Sequence, residues 1–223
     1  MKNVTFVSAL FDIDRVDGRK WDQYLKWFDM TLKLRVPMLL FITEDLQEFV
    51  DERRGDLPTK TVHITADEIP YYHLKEPIQE ILDSDVYFWL DAGGSRFFNN
   101  FDLSEEYPGV AAMESIEGMG ESFLVQMNCE YYEDLYSAKT LDENYLYDNR
   151  SYVLGSMFGG HKNTIPKIVK MVDSVLMDDM IAENNMNNEQ IALGYLVKKY
   201  PDDFAIYSRT NGQHMDIFTE LST

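Results

Sequence analysis

Cysteine is almost missing from this 223-residue chain: Cys129 stands alone, so no disulfide can form within it and a reducing compartment fits best. Long apolar runs are missing too. No stretch reaches the about 18 apolar residues that a bilayer-spanning helix needs. The opening Met1-Lys2-Asn3-Val4-Thr5-Phe6-Val7 is too short for the apolar core of a secretory signal, and the charged Asp12-Ile13-Asp14-Arg15 follows it. A cytoplasmic protein with no transmembrane segment is expected. Basic residues are scarce, 20 against 39 acidic ones, for a formal charge of -19. Such a field repels phosphate backbones and anionic headgroups, which excludes nucleic acid as a partner. It still permits an anionic small molecule where a local basic group or a divalent metal reverses the sign. No histidine pair has zinc spacing, and neither a Ser/His/Asp triad nor a P-loop can be read. Internal repeats and low-complexity segments are absent as well.

What is present is a succession of compact apolar runs, at residues 4–11, 36–43, 60–65 and 85–90, read as four buried strands. Between the first two, Trp21, Tyr24, Leu25, Phe28 and Leu32 recur at helical spacing. Before the fourth, Ile78, Ile81 and Leu82 repeat that spacing, with Pro77 suited to a first turn. Strands alternating with helices imply an α/β fold with a Rossmann-like, mostly parallel central sheet flanked by helices. In such a sheet the ligand crevice lies at the carboxyl ends of the strands. Residues 99–150 read as irregular and tyrosine-rich, apart from a short strand from Ser122 to Met127. Then come a strand ending in the pair Gly159-Gly160, two helices, the second capped by Asn187 or Asn188 and stopped before Pro201, and a short strand from Phe204 to Tyr207. One domain is expected, with a nucleotide-binding half of about residues 1–98 and an acceptor-binding half of about 99–223.

Asp91 ends an apolar strand and is followed by Ala92, Gly93 and Gly94, small residues that let a ligand approach the backbone. A carboxylate there either caps a turn or holds a divalent cation by a hard oxygen. Arg96, a bidentate phosphate partner five residues on, favours the second. Phe11, Asp12 and Arg15, at and after the end of the first strand, are candidates to contact a nucleotide. Gly159 and Gly160 either form a tight turn or expose amides to a ligand. Glu189 and Gln190 sit in the first turn of a capped helix, where the helix dipole alone favours an acid. The same two can grip sugar hydroxyls or act as a base.

These pieces, taken in order, resemble the bacterial HtrL/YibB-like family. They are Val4-Thr5-Phe6-Val7-Ser8-Ala9-Leu10-Phe11-Asp12-Ile13 with Arg15, Tyr24-Leu25-Lys26-Trp27-Phe28 leading to Pro37-Met38-Leu39-Leu40-Phe41, Phe88-Trp89-Leu90-Asp91-Ala92-Gly93 with Arg96-Phe97, Phe158-Gly159-Gly160, and Asn188-Glu189-Gln190. The resemblance implies a GT-A-like glycosyltransferase of surface glycan or lipopolysaccharide synthesis, at most peripheral to a membrane-bound glycan assembly. Its donor would be a nucleoside-diphosphate sugar and its cofactor Mn²⁺ or Mg²⁺. Asp91 matches the first aspartate of the Asp-x-Asp motif common in such enzymes, and Gly93 stands where the second would be. His214 is placed, by location, to be a C-terminal metal ligand. Glu189 and Gln190 would be catalytic, and Gly159 and Gly160 would border the acceptor. A non-catalytic nucleotide- or glycan-binding protein of the same fold is the alternative, which Gly93 permits. A nucleotidyltransferase is disfavoured, because no Gly-rich phosphate loop with a lysine follows the first strand.

Overall fold

In the computed structural model, residues 4–12, 20–65, 84–92, 109–127, 145–146, 152–185 and 187–207 are described. The four apolar runs are strands: β1 (Val4–Leu10), β2 (Met38–Ile42), β3 (Thr59–His63) and β4 (Val86–Leu90). The stripe of Trp21 to Leu32 is helix α1 (Trp21–Leu32), and α2 (Gln47–Arg54) joins β2 to β3. Helix α3 (Val110–Gly118), strands β5 (Phe123–Met127) and β6 (Val153–His161), helices α4 (Ile165–Ser174) and α5 (Glu189–Lys199) and strand β7 (Phe204–Tyr207) complete the order. The segment around Pro77 lies outside the described residues.

All seven strands form one sheet, in the order β3-β2-β1-β4-β6-β5-β7. The pairs β1/β2, β1/β4, β2/β3 and β5/β7 are parallel, whereas β6 runs antiparallel to both β4 and β5. The α/β class with a mostly parallel sheet is therefore the one expected, and β6 is its single reversed strand among the described residues.

Because β1, β2 and β4 are buried on both faces, their sequences are mostly apolar instead of alternating, with Thr5 and Ser8 of β1 as buried exceptions. On one face Phe6, Leu10, Met38, Leu40, Ile42, Phe88 and Leu90 meet Phe28 and Leu32 of α1, Val50 of α2, and Ala112 and Ile116 of α3. On the other, Leu39, Phe41 and Ile64 pack with Val7, Ala9 and Phe11. A separate core under β5, β6 and β7 gathers Phe123, Val125, Val153 and Phe204 against Ile168 of α4 and Ile191 to Val197 of α5.

Two helices escaped the sequence pattern. The α2 segment is short and mostly charged, with Leu46, Phe49 and Val50 as its only apolar triad at helical spacing. The α3 helix corrects the reading of 99–150 as irregular outside one strand; Ala112 and Ile116, one turn apart and fully buried, carried its signal. Helix α2 also delivers Arg54, a residue only 3% exposed. It donates to the carbonyls of Leu32 (2.9 Å), Leu34 (2.6 Å), Val36 (2.7 Å) and Pro58 (3.1 Å) and to Thr59 Oγ1 (2.7 Å). One side chain thus satisfies the C-terminal carbonyls of α1 and the turns entering β2 and β3. Burial pushes the Arg54 pKa down to about 10, which still leaves it protonated at neutral pH.

Candidate functional site

The direction in which the sheet is built reverses between β1 and β4: β2 and β3 continue outward from one side of β1, and β4 lies on the other. All four strands are parallel, so their carboxyl ends share one edge, and a crevice at such a switch point is where α/β sheets bind ligands. Phe11, half-buried, and Asp12, exposed, follow β1 at that edge. Asp91, half-buried, follows β4 at the same edge, one strand away. The loop after β4 is tied down from below, since the buried Thr31 hydroxyl of α1 donates to the Ala92 carbonyl at 3.3 Å.

The antiparallel course of β6 brings its first half to this edge. Leu90 pairs with Met157, and the Asp91 amide donates to the Ser156 carbonyl at 2.9 Å. Next to Ser156 stands Gly155, and here α5 makes its approach. A methyl group on Gly155 would lie 2.9 Å from Glu189 Oε1 and 3.1 Å from Gln190 Cδ, and closer still to Gln190 Nε2. The first turn of α5 is therefore packed onto β6 one residue from the carbonyl that holds Asp91. Asn188 is the N-cap, its Oδ1 accepting from the amides of Gln190 (3.1 Å) and Ile191 (3.2 Å). That settles the choice between Asn187 and Asn188. Asn187 instead joins Asn185 in donating to the Leu146 carbonyl, at 3.2 and 2.7 Å. Because Ile191 to Val197 are all buried, α5 is a rigid platform for the two polar residues at its start.

The structure thus brings Asp91, Glu189 and Gln190 to one edge of the sheet, with Phe11 and Asp12 beside them. Arg15, Arg96 and His214 lie outside the described residues. Gly159 and Gly160 are a correction. They belong to no turn: both are buried inside β6, opposite Phe88 and Tyr87, towards the end of β4 away from Asp91. A methyl on Gly159 would come within 2.6 Å of Phe88 Cα, and one on Gly160 within 2.8 Å of the Ser122 carbonyl. Their missing side chains serve close strand packing. The glycine beside the candidate site is Gly155, four residues earlier, and its signal in the sequence was only its place in the same strand. Among the described residues no three His, Cys, Asp or Glu side chains are grouped to hold a metal. A cation at Asp91 would need a ligand from beyond them.

Residues 2–110 match the model of the HtrL_YibB family, described as "Bacterial protein of unknown function (HtrL_YibB)". The resemblance read from the N-terminal motifs holds over that stretch, which includes Phe11, Asp12 and Asp91; Glu189 and Gln190 fall beyond it. No curated protein matches the chain. Among solved structures, a CMP:2-keto-3-deoxy-manno-octonic acid synthetase complexed with CTP is similar at a TM-score of 0.49 and 9% identity, over 93% of this chain and 90% of that one. The 4-diphosphocytidyl-2C-methyl-D-erythritol synthase of Anaerococcus prevotii is similar at a TM-score of 0.46 and 10% identity, over 99% and 95% of the two chains. The glycosyltransferase GlyE of Streptococcus pneumoniae gives a TM-score of 0.48 and 8% identity over 93% of this chain, which spans 46% of GlyE. Among the described residues no helix is long and apolar enough to cross a membrane.

Proposed function

We propose that this protein is a glycosyltransferase that moves a sugar from a nucleoside-diphosphate sugar to a glycan acceptor. The observation that carries the reading is the convergence at one sheet edge. The Asp91 amide is held by Ser156, and the adjacent Gly155 admits the side chains of Glu189 and Gln190. A carboxylate at the switch point suits the diphosphate side of a donor, and a carboxylate with an amide on a capped, rigid helix suits the hydroxyl side of an acceptor. In the transfer, the acceptor hydroxyl oxygen forms a bond to the anomeric carbon and the bond from that carbon to the diphosphate oxygen breaks. Glu189 takes the hydroxyl proton, Gln190 orients the hydroxyl, and the diphosphate leaves with the electron pair. A divalent cation held by Asp91 and His214 would supply charge neutralisation for the departing diphosphate, with Arg15 and Arg96 assisting.

The test is nucleotide release from a panel of nucleoside-diphosphate sugars, uridine diphosphate sugars first, with and without Mn²⁺, for the wild type and Asp91→Ala. Metal-dependent release that falls by about a hundredfold in the variant is the expected result, the scale on which removal of one charge-stabilising group acts. A panel showing neither binding nor metal-dependent turnover sinks the transferase reading. Donor binding without turnover would point instead to a non-catalytic protein of the same fold.

A further inference from the structure

The β6 strand is irregular beside the candidate site. Val125 of β5 pairs with Phe158 and Met127 with Val153, so two steps along β5 correspond to five along β6. Residues between those pairs leave β5 while staying with β4, through Leu90 with Met157 and the Asp91 amide with Ser156. Gly155 lies in this bulge. Bulges of this kind re-aim side chains and are over-represented next to active sites. Here the bulge coincides with the point where Gln190 and Glu189 occupy the volume a side chain on residue 155 would need.

We propose that Gly155, through the bulge it sits in, is a positioning residue for the transfer site: the space left by its missing side chain seats Glu189 and Gln190 beside the loop that carries Asp91. This inference rests on the transferase reading above. It also assigns a role that the helix cap cannot supply, because Asn188 fixes where α5 begins but not how near its first turn comes to the sheet. A methyl on residue 155 meets the far ends of two flexible side chains, the Gln190 amide and the Glu189 carboxylate, while the backbones that carry them stay in place because α5 is buried from Ile191 to Val197 and β6 is held by Leu90 and Asp91. Both side chains then rotate out of the space they share, and the proton acceptor leaves its seat. Displacements on the order of 1 Å cost transfer reactions up to about a hundredfold in rate.

The experiment compares Gly155→Ala, Gln190→Ala, the double variant, and Gly118→Ala as a control, because residue 118 has open space around it. Two readouts are taken. In thermal melts Gly155→Ala lowers the midpoint, and it lowers it by less in the Gln190→Ala background, since truncating that side chain removes the closest obstacle. In kinetics with a nucleotide-sugar donor, Gly155→Ala lowers kcat by roughly tenfold or more with the donor KM within about twofold, and Gly118→Ala changes neither. Additive melting shifts overturn the seating. Coupled shifts with an unchanged kcat overturn the positioning role and reduce Gly155 to a packing residue. A chain that shows the coupling but turns over no donor keeps the seating and loses the transferase reading, so the two failures are separable.

Discussion

The two halves of the sheet are built by different means. From β1 to β4 the chain uses regular parallel strands, continuous apolar runs and helices laid in the connections. Its one unusual device is the buried Arg54 among four carbonyls. From β5 to β7 it uses exceptions: a reversed strand, a bulge, buried glycines, and helix α4 continuing as a π-helical turn through Val175–Met180. At Gly194 a methyl would lie 3.3 Å from Tyr145 Cζ, so that ring too rests on bare helix backbone. The regular half supplies a stable edge where Asp91 can stand. The irregular half brings Glu189 and Gln190 to it. Regularity maximises burial and hydrogen bonding, whereas aiming particular side chains at a shared point requires local departures from it.

The largest expected break in this contrast falls in the regular half. Arg54→Met keeps the apolar stem but leaves the carbonyls of Leu32, Leu34, Val36 and Pro58 without their donor. Unsatisfied buried acceptors at about 1 kcal/mol or more each predict a loss of about 3 kcal/mol or more in a denaturant melt. Arg54→Lys should recover little of it, because one ammonium cannot span the fork that the guanidinium fills. A melt of Arg54→Met indistinguishable from wild type would show that the carbonyls find other donors.

Gly159→Ala comes next and acts at the seam between the halves. The added methyl meets backbone, at 2.6 Å from Phe88 Cα, and backbone in a central strand cannot step aside. A loss of about 2 to 3 kcal/mol is expected, without a selective rise in acceptor KM. A stable Gly159→Ala protein with weakened acceptor binding would restore the ligand-facing role that the strand pairing argues against.

The smallest effect is electrostatic and lies on the surface of the regular half. Asp29 accepts from Lys33 at 2.5 Å and from Arg53 at 3.0 Å. Partial burial works to raise its pKa, but the hydrogen bonds and charges of Lys33 and Arg53 outweigh it and hold the value below 3.8. A carboxylate depressed in the folded state contributes stability above its unfolded pKa and loses it as pH falls through the folded one. The pair is partly exposed, so Asp29→Asn should cost less than about 1 kcal/mol at neutral pH. The difference from wild type should close well below pH 3.8, which paired melts across pH would show.

Much of this was legible in the sequence, for definite reasons. Strands buried on both faces are mostly apolar, so β1, β2 and β4 announced themselves; Asn187 and Asn188 before Glu189 and Gln190 announced a capped helix, and the short strand from Phe204 to Tyr207 was read as such. Asp91 was found because a polar residue that ends such a run is conspicuous. Helix α2 was hidden by its charge, and Arg54 with it. Gly159 and Gly160 were misplaced because a glycine pair marks a turn as readily as a tight strand crossing, and nothing local separates the two.

The amino-acid order by itself determined the strands, the helices with an apolar stripe or a cap, and that Asp91 stands at a strand end, because those outcomes follow from burial and capping within a few neighbouring residues. It did not decide which strand lies beside which, that β6 runs backwards, or that Gly155 and not Gly159 faces Glu189 and Gln190. Those depend on contacts between residues more than twenty positions apart along the chain, where the absence of a side chain means something only once its neighbour is known.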